Sequence, residues 1–221
     1  IIPFAANGEG GEGNSNPRHD PKYLIEDVIY DVIRAIRRDR ERYEDNREEV
    51  NKLVKEKIMP HVDVIKMSTL ILGRHKSQFT EEQFTEFIYL FESITIHSYA
   101  MYILDYKDSY SLSFRATLFN DRLKIATVHM ILKLEQNRKV DTHFALYYNV
   151  NDATWKIFNL AFEGINYGLV YRNSYNEIIK NHGVDALLEQ IKPFNYDLHL
   201  QERVDLIDEI DEDGEIFWKV K

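Results

Sequence analysis

Hydrophobic residues recur at helical spacing in the first half of the chain. Asp20 is a favourable N-cap, Pro21 suits the first helical position, and the apolar stripe that follows predicts a helix from residue 20 onward. Three more helices are predicted over about 46–59, 62–72 and 80–106. Thr80 and Gln83 form a capping box at the start of the last one. Its apolar face is wider than one stripe, so we expect it to be buried on several sides or to face a ligand.

After residue 110 the pattern changes to alternation of apolar and polar residues. Four strands are predicted, at 111–119, 124–134, 142–150 and 154–162. The short, polar connections between them favour an antiparallel meander. Two helices are expected next, over about 173–182 and 185–192. This order of elements predicts an α+β fold in which several helices pack on a curved antiparallel sheet of about four strands.

The segment 155–175 departs from simple alternation. Its apolar residues fall on both parities: Trp155, Ile157 and Ala161 on one, and Phe158, Leu160 and Phe162 on the other. We interpret it as the last strand of the sheet, apolar on both faces and bent at Gly164 and Gly168. Arg172 would then lie where the chain leaves the sheet, in front of a helix that starts near Asn173.

The two ends of the chain differ from its centre. Residues 1–19 are rich in Gly, Asn and Glu, which is typical of a flexible arm. Residues 193–221 carry Asp213-Gly214 between two alternating runs, which indicates a β-hairpin. A single α+β domain is therefore expected over 20–192, between a flexible arm and a C-terminal extension.

Composition narrows the possible functions. The net charge is −9, and the one basic cluster, at 34–42, is diluted by Asp39 and Glu41, so nucleic acid is not an expected partner. The chain has no cysteine, which excludes disulfides, thiol catalysis and Cys-ligated zinc. No run reaches the roughly 20 apolar residues that span a bilayer. The first residue is Ile1 and no signal peptide is recognised, which indicates a processed or truncated product.

Patterns for metal binding and catalysis are weak. The eight histidines are scattered, although His129 and His143 on adjacent predicted strands could meet. Residues 209–215 resemble the start of a calcium loop, but Val220 stands where the bidentate Glu belongs. An enzyme on the same fold would use Asp105 or Glu163 as a base, and it stays an alternative. A protein-interaction module whose apolar faces are simply core is another. Neither a metal nor a catalytic residue is expected.

Three separated stretches together resemble one protein family. They are IMPHVDVIKMSTLILGRH at 58–75, TEEQFTEFIYLFESITIHSYAMYIL at 80–104 and YYNVNDATWKIFNLAFEGINYGLVYRNSY at 147–175. Their order and spacing resemble the MlaC (toluene-tolerance) family of periplasmic phospholipid-binding proteins, which are auxiliary components of a lipid-transporting ABC system. The resemblance covers about 25–192. Asn159 departs from it, because the family often has Asp there, and so do Asn166, Tyr167 and Gly168.

The resemblance implies a cone like that of nuclear transport factor, with a deep apolar cavity for acyl chains and the headgroup near its opening. Family members shuttle lipid between an inner-membrane ABC complex and an outer-membrane lipoprotein–porin complex, which maintains the lipid asymmetry of the outer membrane. The chain is thus expected to be a soluble, monomeric carrier in the periplasm, with phospholipid as cargo, no cofactor and no enzymatic activity.

Such a carrier needs shaped apolar walls. Burial of one CH₂ is worth about 0.8 kcal/mol, so two chains of about 15 carbons would cost on the order of 20 kcal/mol to expose together. The expected lipid-binding residues are Phe87, Phe91, Ile94, Tyr99, Tyr102, Val128, Met130, Leu132, Phe144, Leu146, Tyr148, Val150, Ile157, Ile165 and Tyr171. Any one of them could equally be ordinary core. Arg172 is expected to contact the headgroup or a partner, with a salt bridge or a helix-end contact as the alternative.

Overall fold

A computed structural model provides the structure of the protein. It describes residues 20–44, 46–105, 111–120, 124–133 and 138–192, with the side chains of 104 and 105 left out. The predicted N-terminal arm and C-terminal hairpin lie outside the described residues. So do the calcium-loop-like segment and the side chain of Asp105.

Helices make up most of the first half and the end of the described chain. They are α1 (Pro21–Arg38), α2 (Arg40–Tyr43), α3 (Arg47–Lys57), α4 (Val64–Leu72), α5 (Glu81–Asp105), α6 (Tyr167–His182) and α7 (Val184–Gln190). Short 3₁₀ turns cover Met59–His61 and Gly73–Gln78. The predicted caps are confirmed. Asp20 accepts a hydrogen bond from the Lys22 amide, and Thr80 and Gln83 each accept one from the other's backbone amide.

The strands form one antiparallel sheet. They are β1 (Ser111–Phe114), β2 (Leu118–Asn120), β3 (Ile125–Lys133), β4 (Lys139–Asn149), β5 (Thr154–Phe162) and β6 (Ile165–Asn166). The order is β1-β3-β4-β5-β6, and β2 pairs with β3 on the same edge as β1. The α+β class and the meander are confirmed. The predicted strand at 111–119 is in fact two strands, separated at residues 115–117, where the Thr117 hydroxyl donates a hydrogen bond to the carboxylate of Asp20, the N-cap of α1.

One face of β3 and β4 is buried under helices. Its members alternate along both strands: Ala126, Val128, Met130 and Leu132, with Val140, Thr142, Phe144 and Leu146. Helix α1 packs on α3 and β3, while α5 packs on α3, α4 and α7. Helix α6 packs on α4 and β5. The main core therefore joins the sheet to the helices through one continuous set of buried apolar residues.

A β-bulge explains why β5 is apolar on both parities. Ala145 pairs with Asn159, whereas the next residue of β4, Leu146, pairs with Ile157, so Phe158 is an extra residue in β5. A bulge of this kind interrupts strict alternation of side chains. The Phe158 ring lies 5.6 Å from the Lys66 amine of α4, and Asn159 lies under α6. Every residue from Ile157 to Phe162 is buried as a result.

The chain after β5 turns back on itself sooner than the sequence indicates. Glu163 and Gly164 both have positive φ angles, +49° and +79°, and form a tight turn into β6. The Asn166 side chain then accepts a hydrogen bond from the Leu169 amide at 3.1 Å, which caps α6. The turn and the cap explain why this stretch does not continue as a bent strand.

Gly168 and Arg172 therefore lie inside α6. The prediction of a strand bend at Gly168 is wrong, and so is the prediction of a helix start near Asn173. The physical reason is local. A side-chain cap starts the helix at Tyr167, and its buried residues, Gly168, Tyr175 and Ile179, then recur at helical spacing.

Gly168 lets α6 approach β5 closely. A Cβ atom at this position would lie 2.5 Å from the Asn159 Oδ1 atom. We expect Gly168→Ala to lower the free energy of unfolding by about 1–2 kcal/mol, because the overpacking penalty exceeds the gain in helix propensity. Urea denaturation measures this change. Asn159→Ala in the same chain should remove most of the penalty, and a Gly168→Ala variant as stable as the wild type would contradict the packing argument.

Candidate functional site

An apolar cavity lies between α1, the C-terminal part of α5 and the buried face of the sheet. Its volume is about 150 Å³, and the empty space rises to about 970 Å³ when the opening to solvent is included. The first figure is the one comparable with cavity volumes in other proteins, and it lies below the range of small-molecule pockets, about 300–1,000 Å³. The walls are Ile25, Val28, Ile29, Val32, Ile33, Ile36, Ile58, Tyr99, Tyr102, Ile103, Leu112, Met130, Leu132, Thr142, Phe144, Ile157, Leu160 and Phe162.

Helix α1 forms one whole wall of this cavity. Its contribution consists of β-branched side chains in two adjacent rows along the helix: Ile25, Val28, Ile29, Val32, Ile33 and Ile36. The sequence shows this stripe, but it does not show that the stripe faces a cavity. The width of the stripe was the sequence signal for a cavity, because a helix that packs on its neighbours through a single row of side chains needs fewer large apolar residues.

The structure brings several of the predicted lipid-binding residues together at the cavity. They are Tyr99, Tyr102, Met130, Leu132, Phe144 and Ile157. Three strands and α5 supply them, so residues from 99 to 157 converge on one space. Their contact with lipid stays a prediction.

Other predicted lipid-binding residues lie in the solid core. Phe87, Phe91 and Ile94 are buried among helices, with Phe91 stacked on Phe87 and edge-on to Tyr171 at 5.4 Å between ring centres. Val128 and Leu146 share the buried face of the sheet but do not line the cavity. Their parity matches that of the cavity residues, because burial in core and exposure to an internal space produce the same alternation.

The remaining predicted contacts are nearer the surface or on α6. The Tyr148 ring packs edge-on against Trp155, at 5.5 Å between ring centres. Val150 is 75% exposed, just after β4, and Ile165 is 39% exposed in β6. Neither Val150 nor Ile165 lines the cavity. Tyr171 faces a small void of about 20 Å³ between α5, α6 and β5.

Polar groups in the cavity wall are few and neutral. Among the described lining residues only Tyr99, Tyr102 and Thr142 carry a side-chain oxygen, and none is an acid or a cation. Burial raises the pKa of the Tyr99 hydroxyl, and burial together with Tyr167 raises the pKa of Tyr102. Both phenols are therefore neutral at physiological pH. A wall of this chemistry can enclose hydrocarbon, and it offers no group to exchange a proton near pH 7.

A family model described as MlaC protein matches residues 26–193. The chain belongs to the MlaC family. This confirms the family predicted from the three sequence stretches, and the match covers the cavity walls contributed by every element from α1 to β5. No curated protein gives a significant match to the chain.

A solved structure shares this fold. It is the phospholipid-binding protein from Ralstonia solanacearum, determined in complex with a phospholipid. The TM-score is 0.72 at 21% sequence identity, and the match covers 82% of this chain and 99% of that one. At this identity the likeness shows that the two chains share the α+β fold.

The MlaC resemblance led to the prediction that Arg172 contacts a headgroup or a partner. In the structure its guanidinium lies against the end of α4, with Nη2 3.2 Å from the position that a Cβ on Gly73 would take. Gly73 has a positive φ of +52°, which ends α4 and leaves room for this approach. Arg172 does not line the cavity, so its headgroup role stays a prediction.

Glu163, considered above as a base for an enzyme, does not line the cavity, and neither does Asp63, another acid in an apolar stretch of the sequence. Glu163 is in the exposed turn before β6 and pairs with Arg138 at 3.1 Å. Asp63 caps α4 by accepting a hydrogen bond from the Lys66 amide, and it also accepts one from the Tyr147 hydroxyl. Desolvation and this bond to Asp63 raise the pKa of Tyr147 to about 12. These contacts account for both carboxylates structurally.

His129 and His143 do meet, as the sequence suggested. They are directly opposite each other in β3 and β4, with ring centres 4.2 Å apart, and His129 Nε2 lies 2.7 Å from Asp141. Burial, and then the charge of His129, lower the pKa of His143. Within the part of the chain that the structure describes, no group of three or more His, Asp or Glu residues could hold a metal ion.

None of the described helices combines the length and apolar character needed to cross a bilayer. The long helix α5 carries Glu82, Glu86 and Glu92 along its length, in keeping with this result.

Proposed function

We propose that the protein is a phospholipid carrier whose cavity encloses the acyl chains of its cargo. The observation that carries the proposal is an apolar cavity of about 150 Å³ that opens to solvent and whose described walls contain no charged residue. Membership of the MlaC family supports it, and so does the phospholipid found in the Ralstonia solanacearum protein of the same fold. These observations favour a binding or transport protein over an enzyme.

The cavity wall has the apolar character that burial of acyl chains requires. Each CH₂ moved from water into an apolar site contributes about 0.8 kcal/mol, so an acyl chain gains most of its binding energy from burial alone. Isoleucine, valine, leucine and phenylalanine side chains supply nearly the whole wall. Three neutral hydroxyls interrupt it, and none of them imposes the cost of desolvating a charge.

Loading requires the walls to separate. At about 150 Å³ the cavity is too small for a lipid with two long chains. Helix α1 is the wall best placed to move, because it packs on α3 and β3 through its apolar side chains while its opposite face is exposed. Its first residues are held to the sheet by the bond from Thr117 to Asp20, at 3.2 Å. We therefore place the opening movement at α1.

The proposal also states where the protein works and between which complexes it carries lipid. The carrier works in the periplasm, takes phospholipid between an inner-membrane ABC complex and an outer-membrane lipoprotein–porin complex, and so helps to maintain outer-membrane lipid asymmetry. It acts as a monomer and needs no cofactor. Family membership supports this role.

Lipid mass spectrometry tests the proposal most directly. The purified protein is extracted with organic solvent, and the extract is expected to contain phospholipid in a fixed ratio to protein. Protein freed of lipid is then mixed with phospholipid vesicles and re-isolated, and it is expected to carry lipid again. Absence of phospholipid from the native extract, together with absence of uptake from vesicles, would overturn the proposal.

A further inference from the structure

A second, polar space adjoins the apolar cavity at the C-terminal end of α1. Its volume is about 110 Å³, and it is lined by Ile36, Arg37, Arg40, Tyr43, Glu44, Val50 and Ile103. Ile36 and Ile103 also line the apolar cavity, so the two spaces share part of their wall. Among the described residues that line either space, Arg37 and Arg40 are the only cations.

These arginines belong to the basic cluster at 34–42, in a chain whose net charge is −9. In the same cluster Arg34 pairs with Asp31, and Arg42 pairs with Glu49 at 2.6 Å. Arg40 lies 4.0 Å from Glu44, with both side chains about half exposed, which makes a weak ion pair. The polar space thus places two guanidinium groups and one carboxylate beside an apolar wall.

The chemistry of a phospholipid links two such spaces. Its phosphate is joined through glycerol to both acyl chains, so the phosphate must lie within a few bonds of the opening of the chain cavity. Arginine binds phosphate well, because its planar guanidinium donates two parallel hydrogen bonds. Arg37 and Arg40 lie three residues apart in sequence and line the same space.

We propose that Arg37 and Arg40 bind the phosphate group of the lipid whose acyl chains fill the apolar cavity. This inference rests on the proposed carrier function and names the part of the site that holds the headgroup. It differs from the sequence prediction, which gave that role to Arg172. Arg172 lines neither space and lies against Gly73 at the end of α4.

Glu44 gives the site a preference. A phosphate at Arg40 must share it with the Glu44 carboxylate, which is 4.0 Å from the Arg40 Nε atom. Glu44→Gln should therefore strengthen retention of anionic phosphatidylglycerol more than retention of zwitterionic phosphatidylethanolamine. The reason is that the phosphatidylglycerol headgroup has a net negative charge, which Glu44 repels in the wild type, whereas the ammonium group of phosphatidylethanolamine offsets its phosphate.

The test measures lipid retention after loading from vesicles of phosphatidylglycerol, with the wild type and an Arg37→Gln/Arg40→Gln double variant. We expect each lost arginine to weaken retention by about tenfold, the usual effect of a charge-assisted hydrogen bond. Arg34→Gln is the matched control, since it removes the same charge as Arg37→Gln from the same helix, α1, at a residue paired with Asp31. The double lysine variant should recover part of the loss.

Two further probes identify the source of the phosphate. A long-chain fatty alcohol lacks phosphate, so the double variant should bind it as well as the wild type does. This result also shows that the apolar cavity is intact. Inorganic phosphate alone should bind weakly. If it binds the wild type as tightly as the lipid does, the site is one for free phosphate and the proposal is overturned.

The outcomes separate this inference from the carrier function. A wild type that takes up no phospholipid overturns both. A wild type that loads phospholipid, with a double variant that retains it equally well, overturns only the arginine site. If Arg172→Gln loses retention of phospholipid while the double variant keeps it, the headgroup binds at α6. That result likewise overturns the site at Arg37 and Arg40.

Discussion

Replacing Ile29 with aspartate is expected to abolish phospholipid uptake while leaving the protein folded. Ile29 lines the cavity from α1 and is only half-buried, so the fold can accommodate a polar side chain there. A carboxylate in the path of an acyl chain would have to be desolvated without a partner, at a cost of several kcal/mol. Lipid mass spectrometry after incubation with vesicles measures uptake, and circular dichroism verifies the fold.

Ile65→Asp provides the matched control. Ile65 is also an isoleucine on a helix, but it is 60% exposed on α4 and does not line the cavity. It should load lipid like the wild type. Val128 or Leu146 would be poor choices for such a test, because both are fully buried in the core and a charge there should unfold the protein. Normal uptake by a folded Ile29→Asp variant would show that the chains lie elsewhere.

Replacing Phe91 with alanine is expected to lower the free energy of unfolding by about 3–5 kcal/mol. Phe91 is fully buried on α5, where its ring stacks on Phe87 and meets Tyr171 edge-on. Its removal would leave a void between the Phe87 and Tyr171 rings, which are held in place by their own packing. Urea denaturation of the lipid-free protein measures the loss.

Tyr89→Ala is the control for this change. Tyr89 is on the same helix but 66% exposed, so the loss should stay within about 0.5 kcal/mol. The two possible roles of Phe91, core residue and lipid contact, predict different results. As a core residue, Phe91 mainly affects the free energy of unfolding. A Phe91→Ala variant of normal stability that fails to hold lipid would contradict the core assignment and place Phe91 in the binding site.

Local signals explain how far the sequence predicts this fold. Caps at Asp20 and at Thr80 with Gln83 fix helix starts, because each side chain bonds an amide a few residues away. The bulge at Phe158 could not be predicted, since it depends on the pairing of β5 with β4. The start of α6 was mistaken for a strand, because a short continuous apolar run does not show whether its period is that of a helix or of a strand. The cap by Asn166 is what marks the start of the helix.

The candidate site was predictable only in part for a related reason. Alternation identifies the buried face of a strand, so Met130, Leu132 and Phe144 were found correctly as inward-facing residues. Alternation cannot separate a cavity wall from solid core, and Val128 has the same pattern without reaching the cavity. That separation depends on how far α1 lies from the sheet, which is a property of the assembled fold.

The apolar cavity also has a consequence for the protein without cargo. Side chains that face an empty space lose the dispersion contacts that a filled interior would give them. Under the proposed function, bound acyl chains restore those contacts, so that the lipid completes the hydrophobic core. Because a ligand that binds only the native state raises the unfolding temperature, loaded and empty molecules would melt separately. Each release of lipid would then leave the carrier in its less stable form.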